Sequence, residues 1–374
     1  MLKTQEPHTT IVVSAVNLIE GGTLTILREC LAYLSILATK ENYRVVALVF
    51  KRELADYPNI EYVEIPWPKK LWVNRLWFEY VSAKRMSKKL GPVSLWLSLH
   101  DTTPNVVAER RAVYCHNPFP FYKWKWREWF FTPKIVLLAI FSKFIYKKNI
   151  TKNTHVVVQQ EWIREAFLQM FYLHSKQIIV ASPDRPSEDN ILDLSAGEEN
   201  YNFVYAASPN SHKNFECLTE ATEILQDLGV LGFKVSITVK GEENAYAHWL
   251  YKKWGHLSSL NFAGFMTRET LFGFYAKSHC LVFPSKVETW GLPITEFGAF
   301  DKPMLLADLP YAYETAAGCN HVAFFDPNNP QELAKLMMSL IRGDSKGLEK
   351  VQGKVKTPHA VSSWEEMFKT LLFS

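Results

Sequence analysis

Two carboxylates, Glu288 and Glu296, are separated by seven residues in LVFPSKVETWGLPITEFGAF, with a Gly-Leu-Pro elbow, Gly291 to Pro293, between them. Residues 281–283 are a short apolar run of the kind that makes a buried strand, and proline favours the first position of a helix. The glutamates are therefore expected to flank a strand-to-helix turn. A helix start offers unpaired backbone N–H groups and the positive end of a dipole, so the amides around Gly291 and Leu292 can face a diphosphate. Glu296, expected within the first helical turn, can accept from two ribose hydroxyls at once, and Glu288 can reach a sugar on the other end. The same pair would also serve as solvated groups that complement the helix dipole, so the reading depends on what surrounds it.

Several other residues carry compatible chemistry. Lys213, in AASPNSHKNFECLTEA, falls just after an apolar run and just before a helical one. A lysine there neutralises phosphate as a point charge unless it is merely solvated. Lys240 and Arg268 are further cations that can share the task. His116 closes the apolar run in RRAVYCHNPFPFY, and polar groups at the carboxyl ends of strands are where open α/β sheets bind ligands. His100 and Asp101, in SLHDTTPNV, form a second such pair, in which the aspartate either takes a proton from an acceptor or caps its loop. Gly21 and Gly22 follow the first apolar run and, lacking Cβ atoms, let backbone approach a ligand closely. No carboxylate stands out as a covalent nucleophile, and Asp-x-Asp is absent from the sequence. With Lys213 and a helix start available, that favours a diphosphate held without metal or cofactor.

From NFAGFMTRETLFGFYAKSHCLVFPS through VETWGLPITEFGAFDKPMLLAD the chain resembles the donor-binding half of the retaining glycosyltransferases of family 4, the group 1 type of bacterial surface-polysaccharide assembly. The resemblance is strong over residues 203–330 and holds in outline elsewhere. It implies an α/β fold of the GT-B kind, with two Rossmann-like doubly wound domains facing a cleft. It also implies roles: Lys213 and Asn214 on the donor diphosphate, the backbone after Gly264 on the nucleobase with Phe265 and Met266 beside it, Gly22 in a glycine-rich loop, and His116 beside the transferred sugar. The chain departs from the family at Ser208, where an arginine is common, so neutralisation leans on Lys213 and the helix start near Leu292. The implied chemistry is hexosyl transfer with retention by a front-face route, in which the departing diphosphate helps deprotonate the acceptor.

The elements that must position these residues are legible in outline. NFVYAA, FKVSITV, LNFAG, HCLVFP, PMLLAD and HVAFF alternate with helical stretches at 215–228, 245–254, 268–277, 294–300 and 330–341. Such alternation gives a doubly wound parallel sheet. The first half supplies TIVVSAV, a helix from about 25 to 39, RVVALVF, VSLWLSL, AVYC and HVVVQ, a second and less regular sheet of the same class. The seam falls in the Pro-, Ser- and acid-rich stretch 182–200. Residues 1–190 are thus read as an acceptor-binding domain and 191–361 as the nucleotide-sugar domain. An amphipathic helix at 362–374, with Trp364, Met367, Leu371 and Leu372 on one side, is expected to pack back on the first domain, as in the resembling family.

A chain of 374 residues, 48% of them apolar, exceeds what a single core usually holds. Five scattered cysteines exclude a disulfide scaffold and suit a reducing cytoplasm. The N-terminus has too short an apolar run for a signal peptide. Net charge is +4, divided as +11 over residues 1–180 and −7 over the remainder. The basic half suits an anionic surface or substrate if it is not simply solvated. Residues 119–148 interleave Trp124, Trp126, Trp129, Phe130 and Phe131 with Lys123, Lys125, Arg127 and Lys134. This pattern suits the interface of an anionic membrane at the inner face of the cell, in preference to nucleic acid; the alternative is a core helix with a basic outer face. A lipid-linked glycan acceptor would account for both features. The rival readings are a sugar-nucleotide epimerase on the same fold and an inactive peripheral-membrane scaffold.

Overall fold

Unbroken runs of Val, Ile and Leu such as TIVVSA and RVVALV demand burial on both faces, which parallel strands between helices provide. The computed structural model describes residues 9–41, 43–126, 128–183, 200–353 and 357–374, so the expected seam at 182–200 lies almost wholly outside them. The chain divides into two compact units. One comprises Met1–Asn117, Phe141–Asp184 and Lys356–Ser374, and the other Pro118–Ile140 and Arg185–Val355.

In the first unit the strands are β1 (Thr10–Ala15), β2 (Arg44–Val49), β3 (Glu61–Glu64), β4 (Leu95–Ser98), β5 (Arg110–Cys115), β6 (His155–Val158) and β7 (Ile178–Ala181). The second unit follows with β8 (Tyr201–Tyr205), β9 (Phe233–Ile237), β10 (Leu260–Phe262), β11 (Cys280–Phe283), β12 (Met304–Ala307) and β13 (Val322–Phe325), and β14 (Ala360–Val361) returns to the first. Among the described residues these form two sheets, ordered β3-β2-β1-β4-β5-β6-β7-β14 and β10-β9-β8-β11-β12-β13. Every pairing is parallel, with Ile11 opposite both Val45 and Leu95 in the first sheet and Phe203 opposite both Val235 and Cys280 in the second. Both are doubly wound Rossmann-like sheets.

The first helix, Gly21–Lys40, begins about four residues earlier than expected, because Gly21 takes up the left-handed turn (φ +62°) that leads into it. It is long and apolar enough to cross a membrane by length and composition. Its buried residues Ile26, Leu27, Cys30, Leu31 and Leu34 nevertheless pack against Val13, Val45 and Leu97 in the core of the first unit. Burying a leucine in this way stabilises by about 1.5–3 kcal/mol. The last helix, Trp364–Phe373, puts Met367, Phe368 and Leu371 into the same core. Its start is fixed by Ser363, whose hydroxyl accepts from Glu366 N at 3.1 Å, while the Glu366 carboxylate accepts from Ser362 N at 2.8 Å. β14 precedes this helix and pairs Ala360 with Val180. All five cysteines are free, and Cys30, Cys115, Cys217 and Cys280 are buried.

One stretch sits differently from the domain division read in the sequence. Residues Pro118–Ile140 fall within 1–190 but pack in the second unit. Tyr122 and Ile135 bury against Val287, and the Phe131 ring lies 5.1 Å from that of Trp249. Of the aromatic side chains that suggested a membrane interface, Phe131 packs on Trp249 whereas Trp126 and Phe130 stay 75% and 71% exposed; the neighbouring Tyr122 goes inward. Arg127 lies outside the described residues.

Candidate functional site

In the second sheet the strand order reverses between β8 and β11, and ligands of open α/β sheets bind beyond the carboxyl ends of strands at such a point. β8 leads into the turn Ser211–Lys213, and β11 into the loop that carries Glu288. The structure brings the two together: Lys213 Nζ lies 2.5 Å from Glu288 Oε1, with the side chains only 19% and 11% exposed. Loops of this kind stay in register because they are laced together. Lys286 N donates to the His212 carbonyl at 2.8 Å, Ser285 Oγ to the same carbonyl at 3.3 Å, and Asn214 Nδ2 to the Pro284 carbonyl at 3.0 Å. From the far side, Tyr311 donates to the Ser285 carbonyl at 2.7 Å and Thr315 to that of Trp290.

Asn214 has a structural reason to be what it is. Its backbone is left-handed (φ +58°), a conformation asparagine tolerates better than most residues, and its amide also donates to the Pro327 carbonyl at 2.8 Å. With the side chain spent on two carbonyls, Asn214 shapes the loop that presents Lys213. Gly291 is likewise left-handed (φ +91°), and a Cβ there would lie 3.3 Å from Ile294 Cδ1. It caps the helix Leu292–Gly298, so Leu292 is the first helical residue and Pro293 the second. Glu296 is the fifth residue of that helix, one residue further in than a helix starting at Pro293 would put it. Burial pushes its carboxyl up to about 7, and Arg268, 3.8 Å away and 64% exposed, offsets this only in part. Gly264 turns at φ +78° after β10 and leaves Phe265 89% exposed. Lys240 is 69% exposed and 3.5 Å from Glu242.

Beneath the two loops lies a buried ionic cluster that the sequence reading missed. Lys286 sits between Glu216 at 3.4 Å and Glu128 at 3.8 Å; Tyr122 donates to Glu128 at 2.7 Å, and Tyr246 donates to Glu216. Beside it, burial first and then Lys213 and Lys286 hold the His212 imidazole well below its usual range, so it is neutral. The available signal was Lys286 itself, a lysine between a strand end and Glu288.

In the first sheet the order reverses between β1 and β4; His100 lies in the loop after β4, whereas Gly22 is not in a loop as expected but is the second residue of the helix Gly21–Lys40 that follows the β1 loop. Ser14 of β1 and His100 meet directly, Oγ to Nε2 at 2.9 Å. Arg75 donates to Glu79 at 2.7 Å and to the His100 carbonyl at 3.2 Å. Burial, reinforced by Arg75 and His116, keeps His100 well below its usual range. His116 follows β5, with Nε2 3.4 Å from Asp101 Oδ2. The other Asp101 oxygen accepts from His116 N at 2.7 Å, Asn117 N at 3.0 Å and the Tyr146 hydroxyl at 2.8 Å. Of the two roles open to Asp101, the structure gives it the loop-capping one.

Among the described residues no group of three or more His, Cys, Asp or Glu side chains converges as a metal site. Residues 187–354, which span β8 to β13, match the family model described as Glycosyl transferases group 1. The O-antigen chain mannosyltransferase RfbU of Salmonella typhimurium is 23% identical over 256 residues, 67% of this chain, and the chain spans 66% of that relative's length. Sucrose-phosphate synthase from Thermosynechococcus elongatus superimposes with a TM-score of 0.65 at 16% identity, covering 91% of this chain and 92% of that one. The Anabaena protein HepE in complex with UDP-glucose gives 0.60 at 13% identity, over 91% and 92% of the two chains. The chain is therefore a GT-B-fold protein, related through its second unit to the group 1 glycosyl transferases.

Proposed function

We propose that the protein is a metal-independent, retaining glycosyltransferase that moves a hexose from a nucleoside diphosphate sugar to a lipid-linked glycan acceptor in polysaccharide assembly. The observation that carries this reading is the Lys213–Glu288 pair at the reversal of the second sheet, beside the Gly291 helix start. Lys213 and the amides at Gly291 and Leu292 neutralise the diphosphate, Glu296 accepts from the ribose hydroxyls, Phe265 borders the base after Gly264, and Glu288 holds the sugar. In the first unit, Gly22 and His116 are the groups available to a substrate. In the reaction the bond from the anomeric carbon to the diphosphate oxygen breaks. The acceptor oxygen bonds to that carbon on the same face, and its proton passes to the departing diphosphate.

Relatives support the substrate classes: RfbU is named an O-antigen chain mannosyltransferase, and HepE was solved with UDP-glucose. A lipid-linked acceptor and a peripheral place on the cytoplasmic face of the membrane fit the exposed Trp124, Trp126, Trp129 and Phe130 among Lys123, Lys125 and Lys134.

The test is the thermal midpoint against UDP, GDP, dTDP, ADP and CMP, with and without a chelator. A ligand at a hundred times its dissociation constant adds about 2.7 kcal/mol to stability. Stabilisation by one nucleoside diphosphate, unaltered by the chelator, is the expected outcome; none by any would sink the donor site. Incubating the sugar nucleotide alone and following it by NMR separates transfer from epimerisation, which needs no acceptor.

A further inference from the structure

Residues 66–90 form a surface that the sequence reading did not single out and that the donor site does not use. The helix Trp72–Trp77 runs through a π-helical turn, Phe78–Ser82, into the helix Ala83–Lys89. Its inward side is pinned: Phe78 and Glu79 are fully buried, and Arg75 holds Glu79, the His100 carbonyl and the Thr102 hydroxyl. The outward side is therefore fixed by construction and not by fraying of a loose end. It presents Leu71 at 65% exposure, Trp72 at 58%, Val73 at 72%, Leu76 at 41% and Trp77 at 56%. Adjoining side chains of this size left in water mark a surface that something covers. Around them Lys69, Lys70, Lys84, Arg85, Lys88 and Lys89 are all exposed, and Glu79, the one carboxylate of the segment, is buried against Arg75.

We propose that residues 69–89 dock the protein on an anionic phospholipid bilayer. The apolar turn at 71–77 enters the boundary between headgroups and acyl chains, where tryptophan rings are favoured, and the six cations meet lipid phosphates. Charge complementarity selects this occupant: a second copy would set the same cations against each other. Leu71, Val73 and Leu76 offer a nucleic acid neither a stacking surface nor a hydrogen bond. The surface belongs to the first unit and does not rest on the donor chemistry proposed above.

The full chain is sedimented with phosphatidylglycerol-containing and with pure phosphatidylcholine vesicles, at low and high salt. Wild type is expected to bind the anionic vesicles and to be released by salt. Trp72→Ser/Trp77→Ser and Lys84→Glu/Lys88→Glu should each lower the partition coefficient at least about tenfold while leaving the melting temperature and its response to nucleotide unchanged. Wild-type partitioning by Trp72→Ser/Trp77→Ser overturns the proposal. So does loss of binding only in Trp126→Ser/Phe130→Ser, which alters the exposed aromatics of the second unit, or a change in oligomeric state without a change in vesicle binding. Retained vesicle binding without any nucleotide response would count against the enzyme reading alone.

Discussion

Replacing Glu296 by glutamine sets stability against binding at one atom pair. Burial raises this carboxyl from an ordinary 4.5 to about 7 in the folded chain. The folded state thus holds a proton that the unfolded state has released, and between about pH 4.5 and 7 stability falls as pH rises. A gap of roughly 2.5 units at 1.36 kcal/mol each makes ionised Glu296 cost about 3 kcal/mol at pH 8. Arg268 offsets this only in part, since it is 64% exposed and a pair at 3.8 Å with such a partner contributes under about 1 kcal/mol. Glu296→Gln, neutral at every pH, should therefore be more stable than wild type at pH 8 by as much as about 3 kcal/mol, and the two should converge near pH 4.5. Urea denaturation of both proteins across that range reads the difference. The cost has a use, because an ionised carboxylate here accepts from both ribose hydroxyls. Nucleoside diphosphate affinity should accordingly fall about tenfold per pH unit below pH 7 in wild type and be weak and flat in the variant. A stability difference that does not change with pH, or a glutamine variant weaker than wild type at pH 8, would refute the reasoning.

Glu288→Ala should abolish transfer yet keep nucleoside diphosphate binding, measured by calorimetry, because the Lys213 ammonium loses its partner and is free for phosphate; unchanged turnover would end the assignment. Lys286→Met leaves Glu128 and Glu216 buried without their cation and should cost about 3–5 kcal/mol in urea unfolding, whereas a loss under about 1 kcal/mol would mean the cluster is solvated. Asn214→Gly keeps the left-handed backbone but loses two hydrogen bonds to carbonyls, at about 1–3 kcal/mol. Asn214→Ala should lose a further 1 kcal/mol or so through strain, and equal stability of the two would remove the backbone argument.

All six strands of the second sheet were legible, because each is a short run rich in apolar residues bounded by polar turns, and the helices at 245–254, 268–277 and 330–341 fall where their periodicity puts them. β3 was not, since EYVE is short, charged at both ends and only half buried. β14 is two residues long and exists only because β7 offers an edge to pair with. Residues 119–148 show the limit most clearly. Their composition reads first as membrane interface and otherwise as core, and packing divides them residue by residue, Tyr122 and Ile135 inward and Trp126 and Phe130 outward.

The candidate site divides the same way. The types and local spacing of Lys213, Gly264, Gly291, Glu288 and Glu296 are properties of the string, because strand, turn and helix start are set within a few residues. Lys213 and Glu288 are 75 residues apart, and that they meet at 2.5 Å follows from the order of β8 and β11 in the sheet. The raised carboxyl of Glu296, the neutral His212 and the buried Lys286 follow from how much water the fold removes around each. Sequence determines which groups are available and which way the chain turns beside them; long-range pairing and desolvation, which depend on residues far away in the chain, determine their partners and their charge.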